Sequence, residues 1–216
     1  GELPAWVTPE ISEQILMDFS LGKRDLSLFD QGVLGSLKDA LEHSHWIREV
    51  VDIQLIYPTP QEEGLPQKEG AVAAKMILST PVAMVRVGPQ CYLSDSTGKR
   101  LGEPYPDSAR SWFNVPLIEG VRPGIAVPNP GFKWRSPAVI DGLSVAAQLS
   151  RARIAELYPE NAIESIDVSN ARGKIDRSKS EIVPRSGRLQ LEWGRAVTSG
   201  AHRVLPDEDK IANLHM

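Results

Sequence analysis

The stretch WIREVVDIQLIY, residues 46–57, marks the point where the apolar spacing of the chain changes. Before it, apolar side chains recur every three to four residues. Within it, Val51, Ile53, Leu55 and Tyr57 alternate with mostly polar neighbours. The first spacing is typical of one face of an α-helix and the second of a half-buried β-strand. The sequence therefore predicts a helical segment that ends just before this stretch and a strand that follows at once.

Two helices are predicted upstream of the strand. Thr8 followed by Pro9 is a helix start signal, because a hydroxyl cap precedes a proline at the first helical position. Ser27 and Asp30 can form a second capping pair. The residues at helical spacing are Ile11, Ile15 and Phe19 in the first helix and Phe29, Val33, Leu37, Ala40 and Leu41 in the second. Trp46 and Leu41 are expected to be buried between the second helix and the strand.

A second alternating run, Val72 to Leu78, follows a polar loop over residues 58–70. The two runs predict an antiparallel hairpin with the helix pair on one face. Residues 1–82 are therefore expected to form one small domain. The loop over residues 58–70 and a Pro- and Gly-rich segment over residues 120–137 are expected to be cut first in limited proteolysis.

Residues 83–216 carry short strand patterns and a few helical ones. Asp95-Ser96-Thr97-Gly98 predicts a turn between strands, and the loop over residues 120–137 is expected to be held by Phe132 and Trp134. The remaining predictions are a helix over 141–157, a strand over 163–168, a hairpin over 181–183 and 189–193, and a helix that begins at Lys210. The predicted fold class is α+β, with a mostly antiparallel β domain as the second domain.

Composition narrows the function. The chain has 216 residues, 41% of them hydrophobic, and a formal net charge of −4 from 24 basic and 28 acidic side chains. This balance argues against a dedicated nucleic-acid binder, which would normally carry a clear basic excess. One cysteine excludes a disulfide framework within the chain. No apolar run approaches the roughly 20 residues that cross a bilayer.

The residues that could carry chemistry have simpler structural interpretations. His43 and His45 are two residues apart, which on a helix points them in different directions and favours a helix terminus over a shared metal. Cys91 is interpreted as a small buried hydrophobe rather than a nucleophile, and Asp95 as an acceptor of turn N–H groups rather than a catalytic carboxylate. No catalytic, cofactor or metal site is predicted. A hydrolase would require His202, Asp95 and a serine in one cleft.

A basic run lies between Arg172 and Arg188. It holds six Lys or Arg residues against Asp176 and Glu181. We interpret it as a solvated loop. The alternatives are contact with anionic lipid headgroups or with an acidic partner.

Several short segments occur in an order that resembles one bacterial family. They are HWIREV at 45–50, STPVA at 79–83, YLSDSTG at 92–98, VPLIEG at 115–120, IESIDVS at 163–169, LQLEWG at 189–194 and KIANL at 210–214. This order resembles the cell-division family FtsQ, called DivIB in some lineages. The chain departs from the family pattern at His45, where the family has proline, and in the insertions over residues 58–70 and 120–137.

The resemblance implies a POTRA domain, a helix pair on a small sheet, over residues 1–82 and an FtsQ-type β domain over residues 83–216. It implies a non-enzymatic divisome scaffold in septum formation, without a cofactor. The native protein would be bitopic in the cell inner membrane, with an anchoring helix upstream and this region on the periplasmic side. Its partners would be divisome membrane proteins similar to FtsB and FtsL. The alternative is a POTRA-type interaction module of another envelope pathway, translocation or outer-membrane assembly, which tandem POTRA units would favour.

The expected mode of binding is strand addition at an open sheet edge. The edge is expected near Leu189–Trp193 or near Ile163–Ser169. The family pattern continues into further strands after the helix at Lys210, whereas this sequence ends at Met216. Tight binding of an FtsB-like segment by residues 1–216 alone is therefore not expected. The predicted partner-binding residues are Leu189, Leu191, Trp193, Lys210 and Leu214.

Overall fold

A computed structural model describes residues 3–21, 32–56, 71–152, 162–187, 189–200 and 205–214. The chain divides into two compact units, Gly1–Ser79 and Thr80–Met216. The predicted boundary, after residue 82, lies three residues further on. The fold is α+β, as predicted: a helix pair with a two-stranded sheet, then a larger sheet with helices.

The first unit contains two helices and a hairpin: α1 Pro9–Leu21, α2 Val33–His43, β1 Ile47–Ile56 and β2 Ala71–Leu78. Helix α1 begins where the sequence predicts, and the Ile11 N–H donates to Oγ1 of Thr8 at 3.4 Å. The predicted capping pair Ser27 and Asp30, the apolar Phe29 and the loop over residues 58–70 lie outside the described residues.

Strands β1 and β2 pair antiparallel, and irregularities interrupt β1 before Glu49 and before Asp52. The second irregularity breaks the simple alternation of side chains. Val51 is 47% exposed, so the prediction that it faces the core is wrong, whereas Val50 is buried. An extra residue in a strand turns the following side chains to the opposite face, which explains the error. Leu41, Ile47 and Val50 form the buried centre of the unit, with Ile53 and Met76 among the side chains packed around it.

Trp46 is fully buried, as is Leu41, so the predicted burial of both is confirmed. The aromatic and hydrogen-bond contacts of Trp46 reach the start of the chain. Its ring stacks on Trp6 with 6.2 Å between centroids, and its Nε1–H donates to Oε1 of Gln14 at 3.1 Å. Trp46 thereby connects the entrance to β1 with α1.

The second unit is built on one sheet with the strand order β5-β4-β3-β6-β7-β8-β9. The pairs β3–β6 and β6–β7 are parallel and the other pairs are antiparallel, so the sheet is mostly antiparallel, as predicted. The strands are β3 Pro81–Val87, β4 Gln90–Asp95, β5 Arg100–Tyr105, β6 Leu117–Glu119, β7 Ser165–Asp167, β8 Val183–Ser186 and β9 Leu189–Gln190. The helices are α3 Arg110–Phe113, α4 Pro137–Arg151 and α5 Asp207–Leu214.

Helix α4 packs on one face of this sheet. Val139 and Leu143 of the helix share a core with Val85, Ile118 and other strand residues. The helix begins at Pro137 rather than at the predicted Asp141, because proline is favoured at the first helical position. Ser136 precedes it at the N-cap without a side-chain cap hydrogen bond. The predicted end at residue 157 lies outside the described residues.

The loop over residues 120–136 is irregular, as predicted, but it is tied to β4 and β5. Trp134 is buried, meets Tyr92 edge to face, and donates its Nε1–H to Oγ of Ser94 at 2.8 Å. Phe132 is 67% exposed, so the prediction that its ring also holds the loop is wrong. Its backbone oxygen instead accepts the N–H of Arg100 at 2.9 Å.

Candidate partner-binding site

Strand β9 is one of the two terminal strands of the large sheet. It pairs with β8 through Ser186–Leu189 and Arg185–Gln190, across a turn at Gly187 that has a φ of +53°. The alternative edge predicted from the sequence, Ile163–Ser169, contains β7. Because β7 lies between β6 and β8, that alternative is wrong.

Backbone hydrogen bonds show which side of the chain beyond the turn faces β8. The Leu191 N–H donates to the Pro184 oxygen at 2.9 Å, and the Trp193 N–H donates to the Ile182 oxygen at 3.2 Å. In an antiparallel strand the N–H and C=O groups of successive residues point to opposite sides. The backbone groups of Gln190 therefore point away from β8. Gln190 is an exposed residue. Backbone groups that point outward at a sheet edge are those that a partner strand can pair with.

The predicted partner-binding residues have different environments. Leu189 is 52% exposed on β9, and Leu191 is half-buried. Trp193 is 5% exposed and belongs to the core of the second unit. Lys210 of α5 lies over the Trp193 ring, with its Nζ 5.4 Å from the ring centroid. Leu214 ends α5, and its side chain is outside the described part.

A groove of about 420 Å³ lies beside the end of β9. Its walls are the loop over residues 169–180 on one side and Val183, Gln190 and Glu192 on the other. The groove combines apolar surface with exposed polar side chains. Gln190 contributes to the groove, so a strand that added to β9 would place a side chain of the same face next to it.

Asn170 organises the loop that forms the first wall. Its Oδ1 accepts the N–H groups of Ile175 at 3.0 Å and Asp176 at 2.9 Å. Its Nδ2 donates to the backbone oxygens of Asp176, Ser180 and Lys179 at 2.8, 3.1 and 3.3 Å. Hydrogen bonds from Ser178 hold the pKa of Asp176 below its ordinary value. The side chain of Asn170 therefore holds the backbone of this loop in place between residues 175 and 180.

Two members of the basic run are paired with carboxylates of the second unit. Arg172 Nε lies 3.1 Å from Oδ2 of Asp141, a residue that is 1% exposed. Arg185 Nη2 donates to Oδ2 of Asp167 at 2.7 Å, and Nη1 lies 3.4 Å from Glu119. The solvated-loop interpretation is therefore wrong for these two arginines. Nothing in the neighbouring sequence indicates the Arg172–Asp141 ion pair, because the two residues are 31 positions apart.

The other candidate residues have the structural roles that the sequence predicts. Cys91 is 1% exposed, and burial raises the pKa of its thiol, so the reactive thiolate is disfavoured. Asp95 Oδ1 accepts the N–H groups of Thr97 and Lys99, both at 2.9 Å. His43, in the last turn of α2, has its Nδ1 2.6 Å from the Asp39 oxygen. The predicted hydrolase residue His202 lies outside the described residues.

Within the residues that the structure describes, no group of three or more His, Cys, Asp or Glu side chains could hold a metal ion. No helix among them has the length and apolar character to cross a membrane. Comparison with protein-family models, with curated proteins and with solved structures gave no match.

Proposed function

We propose that the chain is the extracytoplasmic part of a bitopic divisome scaffold in the bacterial inner membrane. It acts without catalysis and without a cofactor, by holding cell-division proteins similar to FtsB and FtsL. The order of the FtsQ-like segments supports this proposal. So does their position in the fold, because LQLEWG contains β9 and KIANL belongs to α5.

The observation that carries the proposal is that the two units differ. Among the described residues a helix pair with a hairpin occurs once, and the second unit there contains a seven-stranded sheet instead of another helix pair on two strands. Tandem POTRA units would be expected of a module from a translocation or outer-membrane assembly pathway. One such unit followed by a β domain favours the divisome scaffold over that alternative.

Strand addition at β9 is the proposed mode of binding. The outward backbone groups of Gln190 can exchange hydrogen bonds with an extended segment, and the groove beside them can receive one of its side chains. A single hydrogen bond contributes about 0.5–1.5 kcal/mol net. A strand of two residues therefore supports weak binding.

The proposal is tested in the bacterium that carries the native protein. A fluorescent fusion of the full-length protein is expected at the division site, and its depletion is expected to produce filaments that do not form septa. Depletion that stops protein export or outer-membrane assembly while septa still form would support the alternative pathway. An evenly distributed fusion in cells that divide normally without the protein would reject both functions.

A further inference from the structure

The tip of the loop over residues 169–180 presents an apolar side chain among basic ones. Ile175 is 73% exposed, although an isoleucine is normally buried. Lys174, Arg177 and Lys179 surround it in sequence and are exposed. An apolar side chain beside several cations is a combination that suits contact with a membrane surface, which makes this tip a candidate contact surface.

The tip is held in place by side-chain hydrogen bonds from Asn170 and, within the tip, between Ser178 and Asp176. The backbone N–H of Ile175 is bound by Oδ1 of Asn170, and the three bonds from Nδ2 of Asn170 fix the returning half of the loop. The loop therefore presents Ile175 without a large loss of conformational entropy on binding, because its backbone is already ordered.

The cations of the tip are available for an external anion. Among the described residues, no carboxylate pairs with Lys174 or Arg177. Lys179 is 78% exposed at its side chain and lies 3.8 Å from Asp176, at the outer limit of an ion pair. Exposed pairs of this kind contribute little, so Lys179 can exchange this carboxylate for another anion.

We propose that the tip of this loop, Lys174 to Lys179, docks on an anionic lipid surface. Basic residues near an anionic membrane are attracted to its headgroups, and an adjacent apolar side chain can enter the boundary of the acyl region. A protein partner fits less well. Stable protein interfaces bury about 800 Å² on each side around packed anchors, whereas the tip offers one isoleucine with flexible cations around it. The proposal does not rest on the divisome function.

The test is flotation of the chain with vesicles of phosphatidylglycerol and phosphatidylcholine, compared with vesicles of phosphatidylcholine alone. The wild-type chain is expected to float with the anionic vesicles and to dissociate as salt is added. Each cation near an anionic surface changes the partition coefficient by about fivefold. Lys174→Glu combined with Arg177→Glu should therefore lower it by at least about 25-fold, and Ile175→Ser by a few-fold.

The matched control is Arg48→Glu combined with Lys75→Glu, which changes the net charge equally at exposed positions of the first unit. This control is expected to keep the wild-type partition within about twofold. Equal losses in the two double variants would overturn the proposal, because they would show an effect of net charge alone. Equal flotation with the neutral and the anionic vesicles would also overturn the proposal, as would no flotation with the anionic vesicles.

A second arm separates lipid from other anions. Inorganic phosphate at constant ionic strength is expected to leave the bound fraction unchanged, because it offers no apolar layer for Ile175. If a poly-glutamate peptide binds the wild-type chain, loses binding in the loop double variant and outcompetes the vesicles, the ligand is an acidic protein and the lipid proposal is rejected. Unchanged unfolding transitions of all variants confirm that the loop, not the fold, was altered.

Discussion

The two units of this chain have hydrophobic cores of different size. The first has a two-stranded sheet, and among its described residues the buried apolar side chains are few: Ile11, Leu37, Leu41, Trp46, Ile47 and Val50. The core of the second is larger and includes side chains of β3, β4, β6, β7 and α4. Small domains bury a smaller fraction of their surface and are less stable. A single core side chain should therefore matter more to the fold of the first unit than to that of the second.

Trp46→Ala gives the largest expected effect. Loss of a buried tryptophan typically costs about 3–5 kcal/mol, and here it also removes the stack on Trp6 and leaves Gln14 without its indole donor. The first unit is expected to unfold in a separate, earlier transition while the second remains folded. Denaturant unfolding followed by hydrogen exchange of each unit measures this.

Trp112→Ala is the matched control, because Trp112 is 59% exposed. An exposed substitution of this kind normally changes stability by less than about 0.5 kcal/mol. A Trp46→Ala protein that melts as the wild type does would show that the first unit does not depend on this residue.

Trp134→Ala tests the same chemistry in the larger core. The substitution is expected to lower the free energy of unfolding by a similar amount, about 3–5 kcal/mol. The second unit is nevertheless expected to stay folded, while the loop over residues 120–136 is released. The sequence alone predicts early proteolysis of this loop, whereas its bonds to Ser94 and Arg100 predict protection. Limited proteolysis should cut the loop early in the variant and late in the wild-type chain. Equal cleavage rates in the variant and the wild-type chain would show that Trp134 does not hold the loop.

The comparison of Gly120→Ala with Gly88→Ala gives a smaller effect and separates backbone strain from a steric clash. Both glycines have a positive φ, +76° and +61°, which costs an alanine about 1 kcal/mol. A Cβ at Gly120 would also lie 2.5 Å from Oδ1 of Asp167, whereas the Cβ at Gly88 would meet open space. Gly120→Ala should cost about 3 kcal/mol and Gly88→Ala about 1 in thermal unfolding. The same Cβ would lie 2.7 Å from the backbone nitrogen of Ser169, so equal costs would mean that both Asp167 and this backbone move aside freely.

The pattern of the sequence predicted the regular hairpins better than the parallel strands. The alternation in β2 and the turn after Asp95 are visible in the sequence because antiparallel strands with one buried face alternate. Strand β7 lies within the strand predicted over 163–168, whereas β6 has only three residues, too few to show a period, and was not predicted. Strand β5 was not predicted, since RLGEPY contains a glycine and a proline, which normally indicate loops.

The candidate site was predictable in part. The sequence predicts the hairpin that contains β9, and the resemblance identified Leu189 and Leu191 near a sheet edge. The predicted first strand, 181–183, is wrong in its bounds, because Arg185 and Ser186 pair with β9 as part of β8. The burial of Trp193 could not be predicted, because it depends on helices far away in sequence. The role of Asn170 was also missed. Asparagine is frequent in loops, and nothing in the neighbouring sequence distinguishes an asparagine whose side chain holds residues 175–180 in place.

The most direct test of the account is the binding of an extended FtsB-like peptide to Gln190→Pro and Gln190→Ala chains, measured by calorimetry. Proline removes the outward N–H of Gln190, whereas alanine keeps it, and both leave the Leu191 N–H that pairs with β8. The account predicts weak binding by the wild type and Gln190→Ala, and about five- to tenfold weaker binding by Gln190→Pro. Equal binding by the proline variant, no binding by the wild type, or tight binding by all three chains would contradict strand addition at β9.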